Sequence, residues 1–233
     1  MAWRCSGKTN VELVDNLIKS QILQISSEAS LLRISQAMKA VDRAHFVQNT
    51  ADAYLDSPQA IGHGATISAP HMHAYAVDHL LPFLRPGSRV LDVGSGSGYL
   101  AAVLHHLVTT YAASGPTDQS ATATATGKVV GIDHIPELVD WSLANLRKDE
   151  RSRRAVEQQE IQMISGDGRL GYPNEGPYDA IHLATPGRMF IPVGTLSQHI
   201  YQVDKDANGN VTKTKIMAVN YVPLTDRDKQ TPW

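Results

Sequence analysis

Cysteine is almost absent. Cys5 stands alone among 233 residues, which rules out an intrachain disulfide and a zinc–thiolate cluster and suits a reducing compartment. Its position reads as a bystander in a loose N-terminus. No window approaches the roughly 20 uncharged apolar residues that span a bilayer, and the opening MAWRCSGKTN has no apolar leader core, so the expected location is cytoplasmic. Neither sign of charge is in excess: 21 Lys and Arg against 23 Asp and Glu leave a net charge of −2. That balance gives no global attraction to nucleic acid or an anionic membrane, and a small molecule or a peptide is the expected substrate.

What is present is enough apolar sequence, 42%, to bury one sizeable core. Thr9 and Glu12 stand at capping-box spacing ahead of a helical stripe at Val14, Leu17, Ile18, Ile22 and Ile25. Leu31, Ile34, Ala37, Met38 and Val41 repeat the period, so two amphipathic helices should pack on something larger. From Tyr54 to Pro70 glycine, proline and serine are dense, and a loop or edge strand is expected there. His71 to Leu84 is again helix-like, closed by Pro86 and Gly87.

Beyond that point short β-rich runs alternate with helical ones. Arg89–Val93, Val129–Asp133, Ile161–Ser165 and Asp179–Ala184 read as strands, with helices over Tyr99–Val108 and Pro136–Arg147. Such alternation predicts an α/β fold with a mostly parallel sheet. Runs at Arg188–Val193, His199–Val203 and Lys215–Val222, with Asn208-Gly209 as a turn signal, predict an antiparallel C-terminal edge. The small polar stretch over residues 109–127 reads as a flexible insertion, and the charge run Arg147–Arg154 as a solvated loop.

The sharpest motif is Val90-Leu91-Asp92-Val93-Gly94-Ser95-Gly96-Ser97-Gly98. Glycines where a strand turns into a helix let a ligand press against backbone N–H groups. A dinucleotide site would want glycine at the sixth position from Gly94, where this chain has Tyr99, and a pyrophosphate would be poorly served by Asp92. A cationic cofactor with an amino-acid tail fits better, because Asp92 can attract an ammonium group. S-adenosyl-L-methionine answers that description. Asp133, ending the next strand, can either accept ribose hydroxyls or cap the helix that begins at Pro136. Asp167, between Gly166 and Gly168, can either meet an adenine amino group or simply form a turn.

The segments DSPQAIGHGATISAPHMHAYAVDHL, RVLDVGSGSGYLAA, VVGIDHIPELVD, GDGRLGYPNEGPYDAIH and NYVPLTDRDKQ together resemble the protein-L-isoaspartate O-methyltransferases of the eukaryotic type, in matching order from Val11 to Gln230. The resemblance implies a class I methyltransferase (Rossmann-like) fold in one domain, 1–233. Residues 1–87 would form N-terminal helices and an active-site loop, and residues 88–233 a cofactor-binding sheet. It implies Ser68 as the active-site hydroxyl, with Ile67, Ala69, Pro70 and His73 lining the site. Gly94, Ser95 and Gly96 match the cofactor loop, Asp133 and His134 the ribose region, and Asp167 and Gly168 the adenine region. Thr225 and Gln230 would fold back over the cofactor, while Tyr221 and Val222 would present backbone to the substrate. The implied cofactor is S-adenosyl-L-methionine and the implied partners are isoaspartyl-containing peptides and proteins, with a monomeric chain that needs no metal, nucleic acid or membrane.

One departure from the family stands out. Only Ala184-Thr185-Pro186 separates His182-Leu183 from Gly187-Arg188-Met189, where the family carries a crossover helix. Parallel neighbours generally need a connection of about a dozen residues or more, so either the following strand is displaced or one sheet face is bare. The alternatives to a working repair methyltransferase are therefore an impaired chain that only binds cofactor or partners, or another class I methyltransferase.

Overall fold

The computed structural model describes residues 5–20, 23, 27–111, 123–182, 188–193, 198–205 and 210–219. Two helices open the chain, α1 (Asn10–Lys19) and α2 (Glu28–Ala40). Thr9 caps α1 by accepting from the Glu12 amide, while Glu12 reaches the Lys8 amide, one residue before the position a strict capping box would use. The predicted stripe residues Ile22 and Ile25 lie outside the described residues. Cys5 is buried among core side chains, which corrects the expectation of a loose bystander: Gly7 and Ser6 tie this stretch down through bonds with Tyr54, Asn16 and Asp56.

The glycine-rich segment forms a hairpin, β1 (Gln59–Gly62) and β2 (Ala65–Ile67). Its two-residue turn has positive φ at both His63 (53°) and Gly64 (67°), the backbone that a type I′ hairpin turn requires. The chain then runs through α3 (Pro70–Leu80), β3 (Arg89–Val93) and α4 (Tyr99–Val108). A minor ladder, β4 (Thr110–Tyr111) with β5 (Ala123–Ala125), closes the base of the 109–127 insertion, and 112–122 lie outside the described residues. Next come β6 (Lys128–Asp133), α5 (Pro136–Leu146), α6 (Glu150–Glu157), β7 (Ile161–Ser165), β8 (Ala180–His182), β9 (Arg188–Val193), β10 (Gln198–Lys205) and β11 (Val211–Val219).

Seven strands form the main sheet in the order β11-β10-β9-β8-β3-β6-β7. From β9 to β7 the pairs are parallel, and β10 and β11 add an antiparallel edge, as the C-terminal runs predict. Alternation assigns each strand residue to a face. Val90, Val129, Ile161 and Ala180 join the helices in the larger core, whereas Leu91, Val93, Val130, Ile132 and Ile181 form a second cluster with Tyr178.

The charge run Arg147–Arg154 is not a loop. Asp149 caps α6, Glu150 pairs with Arg153 and Arg154, and Arg151, Ser152, Ala155 and Val156 turn inward. The strand after the shortened connection is not displaced either. β9 pairs beside β8 through Ala180 with Arg188 and Ile181 with Met189. A three-residue β8 rises only about 10 Å. Residues 183–187, which join the two strands, lie outside the described residues. Nor is the second sheet face bare at its centre, because Tyr172 and Tyr178 of the segment between β7 and β8 pack over it. Among the described residues no helix is long and apolar enough to cross a membrane.

Candidate active site

The parallel strands end at one edge of the sheet, and the candidate residues gather there. Three glycines after β3 have positive φ, Gly94 at 75°, Gly96 at 50° and Gly98 at 83°. The turn is locked onto β6: the Gly94 and Ser95 amides donate to the Ile132 carbonyl at 2.8 and 3.1 Å, and the Gly96 amide donates to Asp133 Oδ2 at 3.0 Å. A Cβ at Gly96 would stand 3.2 Å from Ile61 Cδ1, so the β1–β2 hairpin lies directly over the turn.

Asp133 also holds the chain ahead of α5, its Oδ1 accepting from the Ile135 amide at 3.1 Å, although α5 itself has no side-chain cap. Burial raises its pKa, against the pull of these two amides. Each oxygen keeps a further lone pair for a ligand hydroxyl. Asp92 is buried, with Oδ1 held 2.8 Å from His182 Nδ1 and Oδ2 without a hydrogen-bond partner. Ser95 Oγ and His134 Nε2 are likewise buried and unpartnered. Buried polar atoms are nearly always hydrogen-bonded, and these three belong to residues on or next to the strand ends that carry the turn.

Asp167 follows β7, and its carboxylate is forked by Arg169 Nε and Nη2 at 2.9 and 2.7 Å, which lowers its pKa. Gly168 is packed so tightly that a Cβ would come within 2.4 Å of Val93 Cγ1. Thr225, Gln230, Tyr221 and Val222 lie outside the described residues.

The Thr66-Ile67-Ser68-Ala69-Pro70 loop joins β2 to α3. Ile67, Ala69 and Pro70 are buried, and Ser68 is half-buried. Arg43, fully buried after α2, donates from Nη2 to the Ser68 carbonyl at 2.8 Å and from Nη1 to His73 Nδ1 at 3.4 Å. Its guanidinium stands 5.5 Å over the ring of Tyr99, the first residue of α4, and the His73 ring lies 5.0 Å from the same ring. This bridge joins the serine loop to the glycine turn. Burial, with Arg43, His182 and His71 near, holds the His73 pKa well below its ordinary value, so the ring is neutral. Burial lowers Arg43 to about 10 and raises Tyr99 to about 12, which leaves the arginine cationic and the phenol protonated at neutral pH.

Three site residues escape a sequence reading. His182 is the most legible of them, since it ends a strand at the edge where α/β sheets bind ligands. Arg43 and Asp56 carry no local signal. Asp56 Oδ1 takes the His71 amide at 3.0 Å and His71 Nδ1 at 2.8 Å, fixing the start of α3 from fifteen residues away.

Residues 8–229 match the family described as protein-L-isoaspartate(D-aspartate) O-methyltransferase (PCMT). The chain is 40% identical to the protein-L-isoaspartate O-methyltransferase of Caenorhabditis elegans over 99% of its own length and 98% of that protein. It is 43% identical to the wheat (Triticum aestivum) enzyme of the same name, over 85% and 86% respectively. Among solved structures it is similar to a Plasmodium falciparum protein assigned as a protein-L-isoaspartate O-methyltransferase, in complex with S-adenosyl-L-homocysteine. The TM-score is 0.75 and the identity 28%, covering 94% of this chain and 99% of that one.

Proposed function

Since the chain belongs to the protein-L-isoaspartate(D-aspartate) O-methyltransferase family, we propose that it transfers a methyl group from S-adenosyl-L-methionine to the free α-carboxylate of L-isoaspartyl residues in damaged proteins, starting their repair. The observation that carries this reading is the three-glycine turn held by Ile132 and Asp133 at the sheet edge, with buried Asp92 and Ser95, joined to the serine loop through Arg43 and Tyr99. The P. falciparum relative holds S-adenosyl-L-homocysteine, and the residues here suit that class of molecule. Asp92 would meet the ammonium group and the Gly94–Gly96 backbone the amino-acid tail. Asp133 with His134 would meet the ribose, and Asp167 with Gly168 the adenine.

The cofactor, when bound, supplies an electrophilic methyl on sulfur, so that a carbon–oxygen bond forms as the sulfur–carbon bond breaks. A carboxylate is already the nucleophile at neutral pH, and no residue need remove a proton. The chain's task is alignment and exclusion of water between opposite charges. Ser68 would donate to the acceptor carboxylate, and neutral His73 would line the cavity without adding charge. The proposed acceptors are isoaspartyl-containing peptides and proteins, met by a single chain in the cytoplasm.

The deciding assay offers the purified chain S-adenosyl-L-methionine with an isoaspartyl peptide and with its aspartyl isomer. Methyl ester on the first alone is the expected result. Folded protein that binds S-adenosyl-L-homocysteine yet methylates neither would be reduced to a cofactor-binding relative.

A further inference from the structure

Behind the serine loop sits a buried cation that, among the described residues, no carboxylate hydrogen-bonds. Arg43 is wholly buried, and among the described residues its guanidinium has only neutral partners: the Ser68 carbonyl, the His73 ring and the face of Tyr99. Its Nε has no hydrogen-bond partner among the described residues. Asp56 bears on it electrostatically, but that carboxylate is hydrogen-bonded to His71. Buried charges are ordinarily paired, because leaving water is costly for an ion that gains no opposite charge. Asp92, which stands with Asp133 at the sheet edge where a cationic cofactor would want negative charge, is hydrogen-bonded to His182. Negative charge therefore stands on the cofactor's side of the site and positive charge behind the acceptor's side.

We propose that Arg43 is a positioning residue that makes the Ser68 loop selective for an acceptor bearing a negative charge. Its guanidinium fixes the Ser68 carbonyl, and its charge finds compensation when the acceptor carboxylate docks on the other side of that loop. The loop keeps the arginine from touching the reacting oxygen. In a desolvated site its field still acts across one peptide group, because water does not screen it there. Arg43 gives a sulfonium cofactor no attraction, since the two carry like charges. This inference rests on the reading of Ser68 as the acceptor-side hydroxyl.

A peptide pair separates charge selection from mere support of the loop: an isoaspartyl peptide with a free α-carboxylate, and the same peptide with that carboxylate as a carboxamide. Binding of each is measured to the full chain saturated with S-adenosyl-L-homocysteine. Wild type should prefer the acid by at least about tenfold, the usual worth of a charge-assisted contact. Arg43→Met, measured on chain that still holds S-adenosyl-L-homocysteine, should bring the ratio close to one. Arg43→Lys, which keeps the charge without the two-pronged donor, should keep most of the preference while losing turnover. A wild-type chain indifferent to acid or amide overturns the proposal, and so does an Arg43→Met chain with the wild-type ratio. If Arg43→Met proves unfolded, losing the S-adenosyl-L-homocysteine complex, the wild-type ratio and Arg43→Lys decide: preference kept in both supports the proposal, and preference lost in Arg43→Lys overturns it. Failure of wild type to methylate the isoaspartyl peptide at all is a different result, which removes the functional reading beneath.

Discussion

Asp92 and His182 are cross-strand neighbours on β3 and β8, joined Oδ1 to Nδ1 at 2.8 Å where both strands end. The imidazole occupies one carboxylate oxygen and leaves Oδ2 buried with no partner. Asp92 is thereby oriented with one acceptor in reserve. In Asp92→Asn the side chain keeps its shape and loses its charge. Affinity for S-adenosyl-L-homocysteine, measured by calorimetry, should fall at least about tenfold, the worth of one charge-assisted bond. Unchanged affinity would mean that the carboxylate does not face the cofactor.

Ser68 lies on the other wall, its carbonyl held by Arg43. Because the main-chain bond anchors the loop, Ser68→Ala should leave the loop in place and remove only the hydroxyl. Turnover on an isoaspartyl peptide should drop about tenfold or more, as expected for loss of a hydrogen bond to a charged group. Cofactor affinity should stay within about twofold of wild type. Steady-state rates at saturating cofactor, paired with a binding titration, separate the two effects.

Asn10 shows how the site depends on the N-terminal helices. Its buried Nδ2 donates to the carbonyls of Met38, Lys39 and Val41 at the end of α2, and its Oδ1 accepts from the Arg43 amide at 3.4 Å. One side chain thus closes a helix and fixes the backbone of the residue beneath the serine loop. Asn10→Ala strands several buried carbonyls, at a cost of about 2–3 kcal/mol. For a chain of this size that corresponds to a melting-temperature drop of very roughly 5–10 °C. A shift below about 2 °C in a thermal melt would show that water replaces the amide without penalty.

The elements that define the cofactor edge were legible because their signals are local. Arg89–Val93, the three glycines and the Asp133 strand end each show their role within a few residues, and all fall where expected. Arg43 and Cys5 are fixed by partners far along the chain, so composition reads them as ordinary. Helix α6 was hidden differently. Its inward spacing at Arg151, Ala155 and Val156 is helical, but the apolar content is too low for a hydropathy pattern, and the Glu–Arg pairs along its surface supply support instead. The pairing of β9 directly beside β8 was not legible from the length of the connection, because parallel neighbours generally carry longer crossovers.

Acid should weaken the fold through His106 on α4. Burial first, then Arg151 and His105, depress its pKa to about 3, while the unfolded chain takes up that proton near 6.5. Between those values the unfolded state binds the proton and the native state does not, so stability rises with pH. The contribution is fully present above about 6.5 and is lost progressively as pH falls toward 3. Replacement by a side chain that cannot be protonated, His106→Gln, should flatten the acid limb of stability measured in urea between pH 7 and 4. An unaltered slope would assign that limb to other groups.

Gly87 and Gly98 allow backbone strain to be separated from crowding at the cofactor turn. Both sit at nearly the same left-handed φ, 86° and 83°. A Cβ at Gly87 would meet nothing within 4 Å, whereas at Gly98 it would lie 3.2 Å from Ser142 Cβ and 3.5 Å from the Ser142 carbonyl oxygen of α5. Gly87→Ala should therefore cost about 1–2 kcal/mol, the conformational penalty alone. Gly98→Ala should cost that and about 1 kcal/mol or more besides for overpacking. Only the second should weaken S-adenosyl-L-homocysteine binding, because Gly98 donates to the Ser95 carbonyl and any shift passes into the turn. Denaturant unfolding of both variants, with cofactor titration of each, tests the difference. Equal losses in both would show that α5 yields freely and that the turn is not held rigid from that side.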